Sequence, residues 1–102
     1  MIYCFDVDGT ICELTVDMGY EYAQPIDEMV EKINRLYDEG HTIKIYTARG
    51  QESGIDYEAF TIEQLQDWRV KYHYFYYGKP SADFYVDDKG INAADFLKGR
   101  QL

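Results

Sequence analysis

A mostly parallel α/β sheet covered by helices is the fold this sequence predicts, on three observations. Short apolar runs alternate with stretches of helical spacing, in the order strand, helix, strand, helix, strand, turn, strand, helix. Three of those runs stop at a residue able to do chemistry, Asp6, Thr47 and Asp87, and parallel sheets bind ligands beyond the carboxyl ends of their strands, near a switch point. The chain has 102 residues, enough for one domain around one core.

The elements read off in order. Ile2 to Phe5 is a short apolar run ending at Asp6, a buried strand. Residues 11–24 show no period and read as a loop or small flap. Pro25 suits the first turn of a helix. Ile26, Met29, Val30, Ile33, Leu36 and Tyr37 then keep helical spacing up to Gly40, a capping glycine. Thr42 to Tyr46 is the next strand and stops at Thr47. Residues 50–60 form a loop. Thr61 and Gln64 make a capping-box pattern that starts a second helix running to about Lys71, with Ile62, Leu65 and Trp68 on its apolar side. Tyr74 to Tyr77 is a third strand, Gly78-Lys79-Pro80 a turn, and Phe84 to Val86 a fourth short strand ending at Asp87 and Asp88. Asn92 caps a last helix that carries Phe96 and Leu97 before Gly99.

Composition narrows the function. A formal charge of −9 repels polyanions, so neither nucleic acid nor an anionic membrane is an expected partner. A small phosphate ester stays open, because a metal ion and one or two cations reverse the sign locally. The two cysteines make neither a disulfide framework nor a zinc pattern, and His41 and His73 lack metal-ligand spacing. The tyrosines between positions 72 and 77 read as sheet packing. No signal-peptide pattern opens the chain and no run reaches transmembrane length, so the cytoplasm is the expected compartment. Association into a homo-oligomer stays open.

Asp6-Val7-Asp8-Gly9-Thr10 is the most informative stretch. The strand ends there and Gly9 permits a turn, so both carboxylates can converge on one substrate. A carboxylate can attack phosphorus and form an acyl phosphate, provided a divalent cation and a lysine offset the repulsion between anions. The available ligands are hard oxygens, which suit Mg2+. Asp6 as nucleophile, Asp8 as general acid and base, and Asp6, Asp87 and the Asp8 backbone carbonyl as metal ligands form the expected set. Asp88 is expected to orient a water or hold Lys79. Thr47, Ala48, Arg49 and Lys79 form the expected substrate-binding group. Arg49 either meets the leaving group or braces its loop, and Tyr20 and Tyr22 either line the entrance or pack the flap.

Asp6-x-Asp8-Gly9-Thr10, Thr47, Lys79 and Asp87-Asp88, in that order, resemble the four motifs of the haloacid dehalogenase-like (HAD) phosphatases. Tyr46-Thr47-Ala48-Arg49-Gly50, Gly78-Lys79-Pro80 and Tyr85-Val86-Asp87-Asp88-Lys89 look like the small phosphatases encoded with bacterial capsule-polysaccharide genes. The resemblance implies a Rossmann-like core, magnesium and a phosphoaspartate intermediate. The spacing leaves no room for the cap domain of many such relatives. An open, capless site is therefore expected unless the flap or a neighbouring subunit covers it. Two rivals share the chemistry. A polynucleotide 3′-phosphatase is disfavoured by the acidic charge. A receiver-like domain storing phosphate on aspartate is disfavoured by the order of its acidic motifs. A phosphomonoesterase for a sugar or polyol phosphate is the expected activity.

Overall fold

The computed structural model describes residues 1–15 and 19–99, so part of the expected flap, residues 16–18, lies outside the described residues. Three strands form a parallel sheet in the order β1 (Ile2–Asp6), β2 (Thr42–Thr47), β3 (Tyr74–Tyr77). Helix α1 (Asp27–Asp38) joins the first pair and α2 (Glu58–Asp67) the second, and α3 (Ala93–Leu97) closes the described chain. The architecture is α/β and Rossmann-like, as the alternation predicts.

A strand order that advances in one direction, with right-handed crossovers, stacks its helices on one face. Burial follows that rule. The register pairs Tyr3 with Ile43 and Phe5 with Ile45 and Phe75. Phe5, Ile43 and Ile45 join Met29, Val30 and Ile33 of α1 and Leu65 of α2 in one buried cluster. Phe96 of α3 adds its ring 5.9 Å from Tyr3 and 5.5 Å from Phe5. The opposite face carries the rows Cys4–Lys44–Tyr74 and Asp6–Tyr46–Tyr76, and Ile2, Cys4, Tyr74 and Tyr76 on it are exposed. Among the described residues, helices therefore cover one side of the sheet only, where the sequence implied cover by helices generally.

Several expected boundaries move, each for a physical reason. Pro25 lies outside α1, because residue 25 is drawn into a bridge with Cys12 and the helix starts at Asp27. Gly40 ends α1 as expected: at φ +98° it lets His41 N–H reach back to the Leu36 carbonyl at 3.1 Å. Helix α2 starts three residues before Thr61, with the Asp56 carboxylate accepting from Glu58 N–H at 2.9 Å. Thr61 and Gln64 are buried in its interior, taken by a tertiary partner instead of by capping. The helix ends at Asp67, short of Lys71, where Arg69 at φ +60° turns the chain and Val70 N–H closes on the Leu65 carbonyl. Asn92 caps α3 as expected, its side chain accepting from Ala94 N–H at 3.0 Å.

The fourth strand is not formed. Phe84 and Val86 are 85% and 95% exposed, and among the described strands β1 is hydrogen-bonded to β2 alone. Three apolar residues supply too few ladder bonds to offset their ordering. Local contacts also compete: Tyr85 donates to the Pro80 carbonyl at 2.6 Å and lays its ring 3.6 Å from the Lys79 ammonium. The expected switch point is thus not built among the described residues. No described helix is long and apolar enough to cross a membrane.

Ile45 is fully buried at the middle of the central strand. Ile45→Ala is expected to lower unfolding stability by about 2–5 kcal/mol with an unchanged urea slope. A loss below about 1 kcal/mol in urea melts would contradict this core.

Candidate active site

The end of β1 turns back on itself. The Val7 carbonyl accepts from the N–H groups of Thr10, Ile11 and Cys12 at 3.2, 2.9 and 3.1 Å, and Gly9 at φ +80° makes the turn accessible. This knuckle sends the two carboxylates to different partners. Asp6 accepts from Val7 N–H at 2.8 Å through Oδ1 and from Lys79 Nζ at 3.1 Å through Oδ2. Asp8 meets Arg49 in a two-bond fork, Nε to Oδ2 at 2.9 Å and Nη2 to Oδ1 at 2.8 Å.

Lys79 is delivered by the turn after β3, where Gly78 and Lys79 N–H both donate to the Thr47 carbonyl at 3.3 and 3.0 Å. Its ammonium sits between the rings of Tyr46, at 4.5 Å, and Tyr85, at 3.6 Å. Burial works against the charge, but Asp6 attracts and hydrogen-bonds it, and the balance raises the lysine above its ordinary value.

Arg49 is 1% exposed, and each of its three side-chain nitrogens donates inside the protein. Nη1 reaches Gln64 Oε1 at 2.7 Å and Thr61 Oγ1 at 3.3 Å, and the Tyr20 ring lies 4.4 Å from Cζ. Burial again opposes the charge, and the bonds to and attraction of Asp8 outweigh it, so Arg49 is held as a cation more firmly than in water. Of the two roles open in the sequence, the structure assigns the brace: the guanidinium has no free face for a leaving group.

Thr47 is fully buried, its hydroxyl accepting from Arg49 N–H at 3.1 Å. It pins the loop after β2, and its place in the expected substrate-binding group rests on the sequence alone. Ala48 is half-buried and its carbonyl accepts from Gln51 N–H at 3.0 Å, again a loop contact. Gly50 at φ +82° is required there, since a Cβ would stand 2.0 Å from the Ile55 carbonyl oxygen. His73 takes a structural part, its ring accepting from Ile43 N–H at 3.0 Å.

A cavity of about 510 Å3 runs beside β1, its wall including Cys4, Asp6, Thr10, Tyr46, Asp87 and Phe96. Asp87 is not at a strand end, yet it shares this wall with Asp6. Its Oδ1 accepts from Lys89 N–H at 2.6 Å. Asp88 is exposed, and Lys79 pairs with Asp6 rather than with it. Among the described residues no group of three or more His, Cys, Asp or Glu side chains converges as a metal cage. Magnesium asks less, since it keeps several waters and takes one or two carboxylates together with a substrate phosphate. Asp6 and Asp87, which both line the cavity, are hard-oxygen donors of the kind such an ion takes. The Asp8 carboxylate does not, being engaged by Arg49, so only its backbone carbonyl remains for a metal.

Sequence reading missed Thr61 and Gln64 as partners of Arg49. Their spacing of three with Leu65 beside them puts two polar side chains on the buried side of a helix, and such groups need a buried partner. It also missed Tyr46 and Tyr85 as the walls around Lys79.

Burial, reinforced by Asp8, pushes the Cys12 thiol from 9.0 up to about 12. Native protein at pH 8 is expected to alkylate at the exposed Cys4 first, with Cys12 reacting only on unfolding. Because the folded thiol titrates above the unfolded one, its contribution to stability is complete below pH 9 and is lost as pH rises toward about 12. Urea midpoints of wild type and Cys12→Ala across that range check the sign; a wild type that gains on the variant as pH rises would contradict it.

No family model matches the chain, and no curated protein matches it. The structure is similar to the crystal structure of a structural-genomics target from Vibrio cholerae, with a TM-score of 0.85 and 24% sequence identity over 94% of this chain and 86% of that one. That likeness extends to the fold.

Proposed function

We propose that this protein is a magnesium-dependent phosphomonoesterase that takes the phosphate of a small metabolite ester, such as a sugar or polyol phosphate, onto Asp6. One observation carries the reading: the Asp6 carboxylate, at the carboxyl end of β1, stands 3.1 Å from Lys79 and shares a cavity wall with Asp87. A nucleophile, a cation for phosphate oxygens and a second hard-oxygen ligand stand together. The ordered motifs that resemble the HAD phosphatases support the same reading.

An Asp6 oxygen attacks phosphorus and the ester P–O bond breaks, its electron pair leaving with the alkoxide. Asp8 gives that alkoxide a proton. A water then attacks the acyl phosphate and returns a proton to Asp8, and the bond from phosphorus to Asp6 breaks, releasing phosphate. Lys79 stabilises charge on the phosphoryl oxygens, and the rings of Tyr46 and Tyr85 fix the direction of its ammonium. Magnesium, when bound by Asp6 and Asp87, would offset the repulsion between carboxylate and phosphate. Asp8 accepts two bonds from Arg49, which set the orientation from which it meets a leaving group.

Phosphate release from a panel of sugar, polyol and nucleotide monophosphates is expected with magnesium and not with chelator. Asp6→Asn is expected to abolish it, and Lys79→Met to lower turnover by about a hundredfold. No release across the panel, or an Asp6→Asn variant as active as wild type, would remove the proposal.

A further inference from the structure

The expected flap touches the buried polar network at two points. The Tyr20 ring covers the Arg49 guanidinium at 4.4 Å, and the Tyr20 carbonyl accepts from Gln64 Nε2 at 2.8 Å. Gln64 Oε1 in turn accepts from Arg49 Nη1 at 2.7 Å, and Arg49 holds both oxygens of Asp8. The chain of contacts runs without a gap from a flap backbone group to a carboxylate beside the nucleophile. Every member is buried or half-buried, so breaking one contact leaves a polar group without water to replace it.

We infer that Arg49 is a positioning residue that couples the seating of residues 19–24 of the flap, through Tyr20 and Gln64, to the orientation of Asp8. The inference rests on the reading of Asp8 as proton donor for its kinetic consequence, and on geometry alone for the coupling. A seated flap fixes the guanidinium, and the guanidinium fixes Asp8. Linkage makes the effect reciprocal: a change at Asp8 loosens the flap, and a change at the flap side alters the step that needs Asp8. Arg49 is suited to the task because its fork grips a carboxylate in one plane while its far nitrogen binds an amide; lysine, a point charge, cannot do both.

Two measurements test it on the full chain. The first is hydrogen exchange at Tyr22 and Ala23, whose N–H groups bond to the Gly19 and Tyr20 carbonyls inside the flap. Asp8→Asn, Arg49→Lys and Gln64→Met are each expected to speed exchange there by about tenfold while amides of β2 keep their protection. The second compares p-nitrophenyl phosphate, whose leaving group needs no proton, with glycerol phosphate, whose leaving group does, both with magnesium. Gln64→Met is expected to lower kcat on the alkyl ester about tenfold more than on the aryl ester, with KM little changed.

Unchanged exchange at Tyr22 and Ala23 in both Gln64→Met and Arg49→Lys would overturn the coupling. Equal slowing of the two esters would overturn the link to Asp8 and leave Gln64 a structural residue. If wild type hydrolyses neither ester, the phosphatase reading falls, and the exchange rates alone then decide whether flap and Asp8 are coupled.

Discussion

Burial of one guanidinium organises much of this small domain. A charge moved out of water is costly unless it is paired and its donors are satisfied, and removing one partner of a fully buried pair costs about 3–5 kcal/mol. Arg49 has no exposed side-chain surface, while Asp8 keeps 21% of its own, so the cost here falls below that of a sealed pair. The requirement still reaches far along the chain. It claims Asp8 after β1, Thr61 and Gln64 in α2, and Tyr20 in the flap. Thr47 adds a bond to the Arg49 backbone. The loop after β2, the buried side of α2 and the segment at Tyr20 are therefore tied to one side chain.

The second constraint is topological. Strand order and crossover hand together leave one sheet face bare, and that face presents Asp6, Tyr46 and Tyr76 in one cross-strand row. Lys44 lies 5.9 and 5.8 Å from the rings of Tyr74 and Tyr76, so part of the aromatic surface is screened by a long polar side chain. The free edge of β1 has the same origin: no described strand pairs with it, and the cavity shared by Asp6 and Asp87 lies along it. The nucleophile candidate thus stands where the sheet is least covered.

Periodicity carried the regular elements well. The apolar spacing of α1, the β-branched run of β2 and the tyrosines of β3 each express a burial pattern that repeats along the chain, and Gly40 and Asn92 express local capping chemistry. The reading failed where a distant residue outbids a local rule. Thr61 and Gln64 have the letters of a capping box, but Arg49, at least twelve positions away, takes their side chains. Phe84 to Val86 have the letters of a strand, but Lys79 and Pro80 hold Tyr85 aside. At the site, Asp6 and Lys79 were legible because strand ends of a parallel sheet share one rim. The division of Asp6 and Asp8 between two cations was not, since nothing in a spacing of two says which carboxylate meets which partner.

That division bears on how a phosphate could be bound at all. Asp6 is matched by Lys79 and Asp8 by Arg49, so the two cations near the β1 knuckle are already matched by two carboxylates. Asp87 and Asp88 add negative charge nearby, and the whole chain carries −9. Arg49 cannot be recruited, because its nitrogens are spent on buried partners. Lys79 can be shared, since its side chain keeps 13% exposure and its partner Asp6 keeps 30%. Lys89 is a further cation on the cavity lining, and on the proposed reading a divalent ion held by Asp6 and Asp87 would add positive charge there. On the proposed reading, the carboxylates of Asp6, Asp87 and Asp88 therefore favour a hard cation as the companion of any phosphate bound at Asp6.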